Sequence, residues 1–238
     1  MIWVAGVDGC PIGWVVVGRD IDGRRALFGM IEALDEVASL LPQSPVAVGI
    51  DMPIGLLEAA VPAGRPCDDA ARRLLAGRRS SVFSPPVRAV LQARSYEEAC
   101  DLSRASSPHR LGISRQSFGL VPKLREVDEF VTSDRQDVYF EVHPELSFLA
   151  MNDDRPMRFG KKSAQGVIER LRLLDHRGVL DVSQIDLEAL GRHRFALDDL
   201  MDAAAACWTA ERKWRGEAEV LSGESLQDST GKRMEIWR

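Results

Sequence analysis

Four acidic positions of this 238-residue chain stand where apolar stretches run out: Asp8, Asp51, Glu141 and the set Asp198-Asp199-x-x-Asp202. Asp199 and Asp202 are three residues apart and Asp198 and Asp202 four apart, so on a helix both pairs share a face near the first turn. Carboxylates gathered in a partly desolvated place repel one another strongly unless a cation joins them. A donor set made only of oxygen, with no His or Cys, selects Mg²⁺ or Mn²⁺ over zinc. Two such ions about 4 Å apart activate a water and stabilise the leaving oxygen in phosphodiester hydrolysis. Each acid also has a plainer use. Asp198 and Asp199 suit helix N-terminal caps, Asp8 and Asp51 suit turns, and Glu141 suits the water-facing side of a strand. Spread over three expected strands and one helix, the acids are harder to explain away together than singly.

A phosphodiester substrate also asks for cations. Candidates are Arg78 and Arg79, which end the arginine-rich stretch from Arg65, then Lys123 and Arg125, and finally Lys161 and Lys162 just before Ser163. The commoner meaning of such a run is a solvated helix face. The formal net charge of -5 argues against a protein that coats nucleic acid through a general positive field, so contact with nucleic acid requires a local basic patch. The cysteines at 10, 67, 100 and 207 form no CxxC pair and the four histidines show no zinc spacing, which excludes the usual structural zinc sites. No run approaches the ~18 apolar residues of a membrane span, and no basic leader precedes Asp8; a cytoplasmic protein with reduced thiols is expected.

The elements that must position the acids follow from periodicity. Met1 to Val7 is apolar and ends on Asp8-Gly9-Cys10-Pro11, and Trp14 to Val17 restarts a strand. Asp20-Ile21-Asp22-Gly23 is a tight-turn sequence before Ala26 to Ile31, so three consecutive strands are antiparallel neighbours. Leu34, Val37, Ala38 and Leu41 then recur at helical spacing until Pro42. Val46 to Ile50 is a buried strand ending on Asp51; reached through a helical crossover, it can lie parallel to the first strand and bring Asp51 near Asp8. From about 56 to 136 the pattern is helical, with Pro66 to Leu75, a capping box at Ser95-Tyr96-Glu97-Glu98, and Leu120 to Val131 around Pro122. Val138 to Val142 is a strand broken by His143-Pro144-Glu145. Helices follow from Ala164 to Arg177, capped by Ser163 and stopped by Gly178, from Ser183 to Leu190, and from Asp198-Asp199 onward. A terminal strand, Met234 to Trp237, closes the chain behind a polar loop from Ser222 to Gly231. With 45% hydrophobic residues, one domain carrying a helical insertion is the expectation.

Several ordered motifs carry a family resemblance over nearly the whole chain. Gly6-Val7-Asp8-Gly9-Cys10 with Gly13-Trp14, Ile50-Asp51-Met52-Pro53-Ile54-Gly55, Arg79-Ser80-Ser81-Val82-Phe83, Pro122 to Asp128 and Glu141-Val142-His143-Pro144-Glu145 resemble the DUF429 family of predicted ribonuclease H-like nucleases. Gly160-Lys161-Lys162, Asp198 to Ala203 and Gly231 to Ile236 extend the likeness. The resemblance implies an α/β fold of ribonuclease H-like type. That fold is a mixed five-stranded sheet with its first three strands antiparallel and the fourth and fifth parallel to the first, flanked by helices. It implies an acidic site made of Asp8, Asp51, Asp199 and Asp202, with Glu141 a family position of no role common to the wider superfamily. The departure from the superfamily is the helical insertion.

The function expected on these grounds is a Mg²⁺- or Mn²⁺-dependent nuclease acting on nucleic acid or a smaller phosphodiester. Asp8 would bridge the metals, Asp51 and Asp202 would ligate them, Asp199 would ligate metal or position the water, Glu141 is counted with them as a catalytic candidate, and the basic residues would hold the substrate. Two other classes are open. One is a non-enzymatic binding module whose acids serve folding; the other is a sugar-kinase-like ATPase, which normally pairs two copies of this core.

Overall fold

Tight turns between short apolar runs give an antiparallel meander at the start of the chain. The computed structural model describes residues 1–22, 25–181, 195–221 and 226–238. In chain order the elements are β1 (Trp3–Cys10), β2 (Gly13–Asp20), β3 (Ala26–Ile31), α1 (Val37–Leu40), β4 (Ala47–Asp51), α2 (Pro66–Leu75), α3 (Tyr96–Ala105), α4 (Arg115–Gly119), α5 (Val121–Phe130), β5 (Tyr139–Glu141), α6 (Pro144–Met151), α7 (Ala164–His176), α8 (Leu197–Arg215), β6 (Val220–Leu221) and β7 (Ile236–Trp237). The chain divides into two compact units. The first is Met1–Asp51, Asp137–Glu219 and Trp237–Arg238; the second is Met52–Gln136 and Val220–Ile236.

The first unit is built on a five-stranded sheet in the order β3-β2-β1-β4-β5. β1, β2 and β3 are antiparallel, and β4 and β5 run parallel to β1. This is the ribonuclease H-like mixed sheet that the motifs imply. Register places Gly6 beside Gly49 and Asp8 beside Asp51. Residues two apart on a strand share a face, so both glycines and both aspartates point to the same side. On that side lies α8, whose Met201 and Ala203–Ala206 are buried against Val4, Val15, Val17 and Phe140, with Phe148 of α6 and Leu174 of α7 in the same core. The glycines make the close approach possible: a Cβ on Gly6 would lie 2.0 Å from the Ala203 carbonyl oxygen, and one on Gly49 2.8 Å from that of Ala206. On the other face Leu41 and Leu40 fill the space over Gly18 and Gly29.

The second unit carries α2 to α5, and no strand forms between Leu56 and Gln136. Its small core gathers Val87, Val90, Ala93, Ala99 and Val121. Ion pairs tie its loops: Arg88 bonds Asp128 at 2.8 Å and also Asp228, while Lys232 meets Asp128 at 2.6 Å.

Several boundaries differ from the periodicity reading. The helix expected through Leu34, Val37, Ala38 and Leu41 is a 3₁₀ turn, Leu34–Glu36, followed by the single turn of α1; Ala33 offers no side-chain cap and Pro42 stops the helix soon after. Ser80 and Ser81 end a 3₁₀ stretch, Ala76–Ser81, that the periodicity does not mark. α6 was not foreseen because it is apolar nearly all round, so no amphipathic period marks it. The terminal strand is shorter than expected, at Ile236–Trp237. The helix expected from Ser183 to Leu190, Gly23 of the turn between β2 and β3 and the start of the polar loop after Leu221 lie outside the described residues. Among the described residues no helix is long and apolar enough to cross a membrane.

Candidate metal centre

Three elements that end at one place build the site. Asp8 sits near the end of β1 and Asp51 ends β4, paired in register, while Asp202 lies one turn into α8. Each offers a carboxylate oxygen, and these atoms all lie within 4.8 Å of one another. Asp8 and Asp202 are buried and Asp51 keeps an edge toward solvent. The same glycine seam that lowers α8 onto β1 and β4 therefore sets the spacing of the carboxylates. Asp202 is next to Ala203, whose carbonyl lies over Gly6, and Asp8 is two residues beyond Gly6.

One cation is built into this cluster. The Lys161 ammonium forms an ion pair with Asp202 and stands 4.0 Å from Asp198. The loop that carries it is fastened to the start of α7. Ser163 caps α7 by accepting the Gly166 N–H at 3.1 Å, and its hydroxyl donates to the Gly160 carbonyl at 2.8 Å. Gly166 is required there, since a Cβ would lie 2.0 Å from the Gly160 carbonyl oxygen. Glu169 accepts the N–H groups of Arg158 and Phe159 at 2.9 and 3.1 Å. The fully buried Arg170 donates to the Phe159 carbonyl at 3.2 Å and to Glu145 at 2.6 Å. Ser163→Ala is expected to lower stability by about 1 kcal/mol through loss of the cap; urea denaturation checks this, and an unchanged midpoint would count against the cap.

Burial sets the electrostatics. It pushes the Asp8 carboxyl well above the usual range, and the neighbouring charges of Asp51, Asp202 and Asp199 add to the rise while Lys161 opposes it. Burial likewise raises Asp51 to about 7 against the pull of Lys161 and a hydrogen bond with Asp8. Asp202 is raised to about 7, again by burial and against Lys161. Burial disfavours the Lys161 ammonium, yet Asp202, Asp51 and Asp8 hold its pKa above the ordinary lysine value. Three carboxylates whose pKa values burial raises, gathered within 4.8 Å, fit a hard divalent cation, which would be held by Asp8, Asp51 and Asp202.

The other sequence candidates are placed as follows. Asp199 accepts the Ala196 N–H at 2.9 Å and so caps α8; it stands outside the three-carboxylate group but near enough for its charge to act on Asp8. Glu141 is buried on β5 and pairs in register with Ile50, so it points to the face opposite Asp51. Lys162 is exposed beside Lys161. In the second unit, Arg79 is exposed and Arg78 partly buried in the 3₁₀ stretch, and Lys123 is partly buried on α5. Arg125 donates to the Leu91 carbonyl at 2.8 and 2.6 Å, beside a cavity of about 470 Å³ that Arg88 and Arg94 also line. Arg65, at the head of the arginine stretch, is buried and committed to Asp68 at 2.6 Å and to the Ile54 and Gly55 carbonyls, which removes it from the phosphate-binding candidates. Sequence reasoning missed Arg170. Its signal was a cation in the middle of a buried stripe, since Gly166, Arg170 and Leu174 recur every fourth residue on α7.

Fold and site together define an α/β protein with a mixed five-stranded sheet and an acidic cluster at the ends of its two central parallel strands. The chain belongs to the family described as "Protein of unknown function (DUF429)", the match spanning residues 6–226. No curated protein and no solved structure matches it.

Proposed function

We propose that this protein is a divalent-metal-dependent nuclease that hydrolyses phosphodiester bonds with Mg²⁺ or Mn²⁺. The observation that carries the reading is the convergence of Asp8, Asp51 and Asp202, from two parallel strands and a helix, to within 4.8 Å. A binding module whose acids only serve folding predicts carboxylates that are dispersed or tied to arginines; these meet one another and a lysine. When bound, a divalent ion supplies Lewis acidity that lowers the pKa of an attacking water and offsets charge building on the phosphate. The protein's own part is to hold the three carboxylates at the strand ends, to add negative charge at the rim through Asp199, and to offer exposed Lys162 to a substrate phosphate. The net charge of -5 favours a single-stranded or small substrate over a long duplex.

The test is a calorimetric Mn²⁺ titration of the wild-type chain beside Asp8→Asn and Asp202→Asn, followed by incubation with labelled single-stranded RNA and DNA. Saturable binding is expected in the wild type, weakened at least ~10-fold in each variant through loss of a charged ligand. Cleavage should need the metal. Equal affinity in all three proteins, or cleavage indifferent to chelator, would sink the proposal.

A further inference from the structure

We infer that Lys161 is the second cation of this site, fixed in the chain, so that the site takes one divalent ion and not two. The inference rests on the metal reading above and concerns the occupancy of that same site. Position is the first ground. The Lys161 ammonium is paired with Asp202 and lies 4.0 Å from Asp198, where a second ion would have to find its carboxylates.

The second ground is how the lysine is held. Its loop is locked by the Gly160–Gly166 approach, the Ser163 cap and the Arg170 bond to the Phe159 carbonyl. Its side chain is only 37% exposed, so the charge is delivered by the fold and does not wander from solvent. Charge is the third. The Lys161 charge already acts on Asp8, Asp51 and Asp202 alike, so a second divalent ion entering among them would have to overcome its repulsion. Finally, three ligand oxygens all within 4.8 Å of one another suit a single shared ion, and two ions would divide a small ligand set. Lys161 thus determines how many ions the site accepts.

The experiment counts Mn²⁺ ions bound per chain, by calorimetry and by electron paramagnetic resonance, in the wild type, Lys161→Arg, Lys161→Met and Lys161→Gln, with circular dichroism melts confirming that each is folded. One ion is expected in the wild type and in Lys161→Arg, which keeps the charge. Two are expected in Lys161→Met and Lys161→Gln, with the spectral signature of a spin-coupled pair. Two ions in the wild type, or a single ion in both folded neutral variants, would overturn the assignment of Lys161 while leaving the metal centre standing. No saturable binding in any of the four would overturn the metal reading itself and this inference with it.

Discussion

Without metal, the protein is expected to lose stability as the pH rises from about 4 to about 8, by up to about 4 kcal/mol through Asp51 alone. The sign follows from the direction of the shift. The folded-state pKa of Asp51 is raised to about 7, whereas an unfolded aspartate titrates near ~3.9. Between those values the folded chain holds a proton that the unfolded chain has released. The stabilisation is therefore complete below about pH 4 and is lost as the pH passes about 7. Asp202 is raised to a similar value and Asp8 is raised as well, and the three titrate as one coupled set, so their effects do not add. A divalent cation reverses the trend because it replaces the protons. Mn²⁺ should raise the melting temperature much more at about pH 8 than at about pH 5. Differential scanning fluorimetry across that range, with and without Mn²⁺, decides the matter. A metal-induced shift that is the same at both ends would show that the carboxylates do not compete with protons for the ion.

Gly6→Ala is expected to cost about 3 kcal/mol or more, far beyond the usual effect of adding a methyl group to a strand. The added Cβ would lie 2.0 Å from the Ala203 carbonyl oxygen and 2.1 Å from the Cys207 backbone nitrogen. Both are backbone atoms of α8, so no side chain can turn aside; the helix must rise from the sheet. Lifting α8 uncovers its buried alanines and also draws Asp202 away from Asp8, so metal affinity should fall together with stability. Gly119→Ala is the control, since nothing lies within 4 Å of a Cβ there. Chemical denaturation of both variants tests the claim, and a wild-type midpoint for Gly6→Ala would refute it.

How far the sequence is legible depends on whether a feature is local or long-range. Apolar runs cut off by Asp8 and Asp51, with short turns between the first three strands, are enough to set those strands antiparallel and to bring Asp51 near Asp8, whereas the place of the fifth strand came from the family resemblance. The three-residue spacing of Asp199 and Asp202 marks the start of α8, but spacing cannot divide their work: one caps the helix and the other enters the cluster. Glu141 shows the limit most clearly. A three-residue strand carries too little alternation to declare its register, and pairing with Ile50 turns Glu141 to the opposite face. Lys161 was legible as a phosphate-binding candidate because a lysine pair before a cap suggests exposure. Its place among the carboxylates depends on Gly166 and Arg170 drawing the loop against α7, contacts that no periodicity records.

The glycine seam also fixes when the site can exist. Every strand of the five-stranded sheet precedes α8 in the chain, so during synthesis, at ~5–20 residues per second, the whole sheet is made before Asp202 leaves the ribosome. Asp8 and Asp51 can meet as soon as β1 and β4 pair, but the third carboxylate arrives only when α8 seats on Gly6 and Gly49. The repulsion that the third charge adds thus falls on the docking of α8 and not on the pairing of the strands.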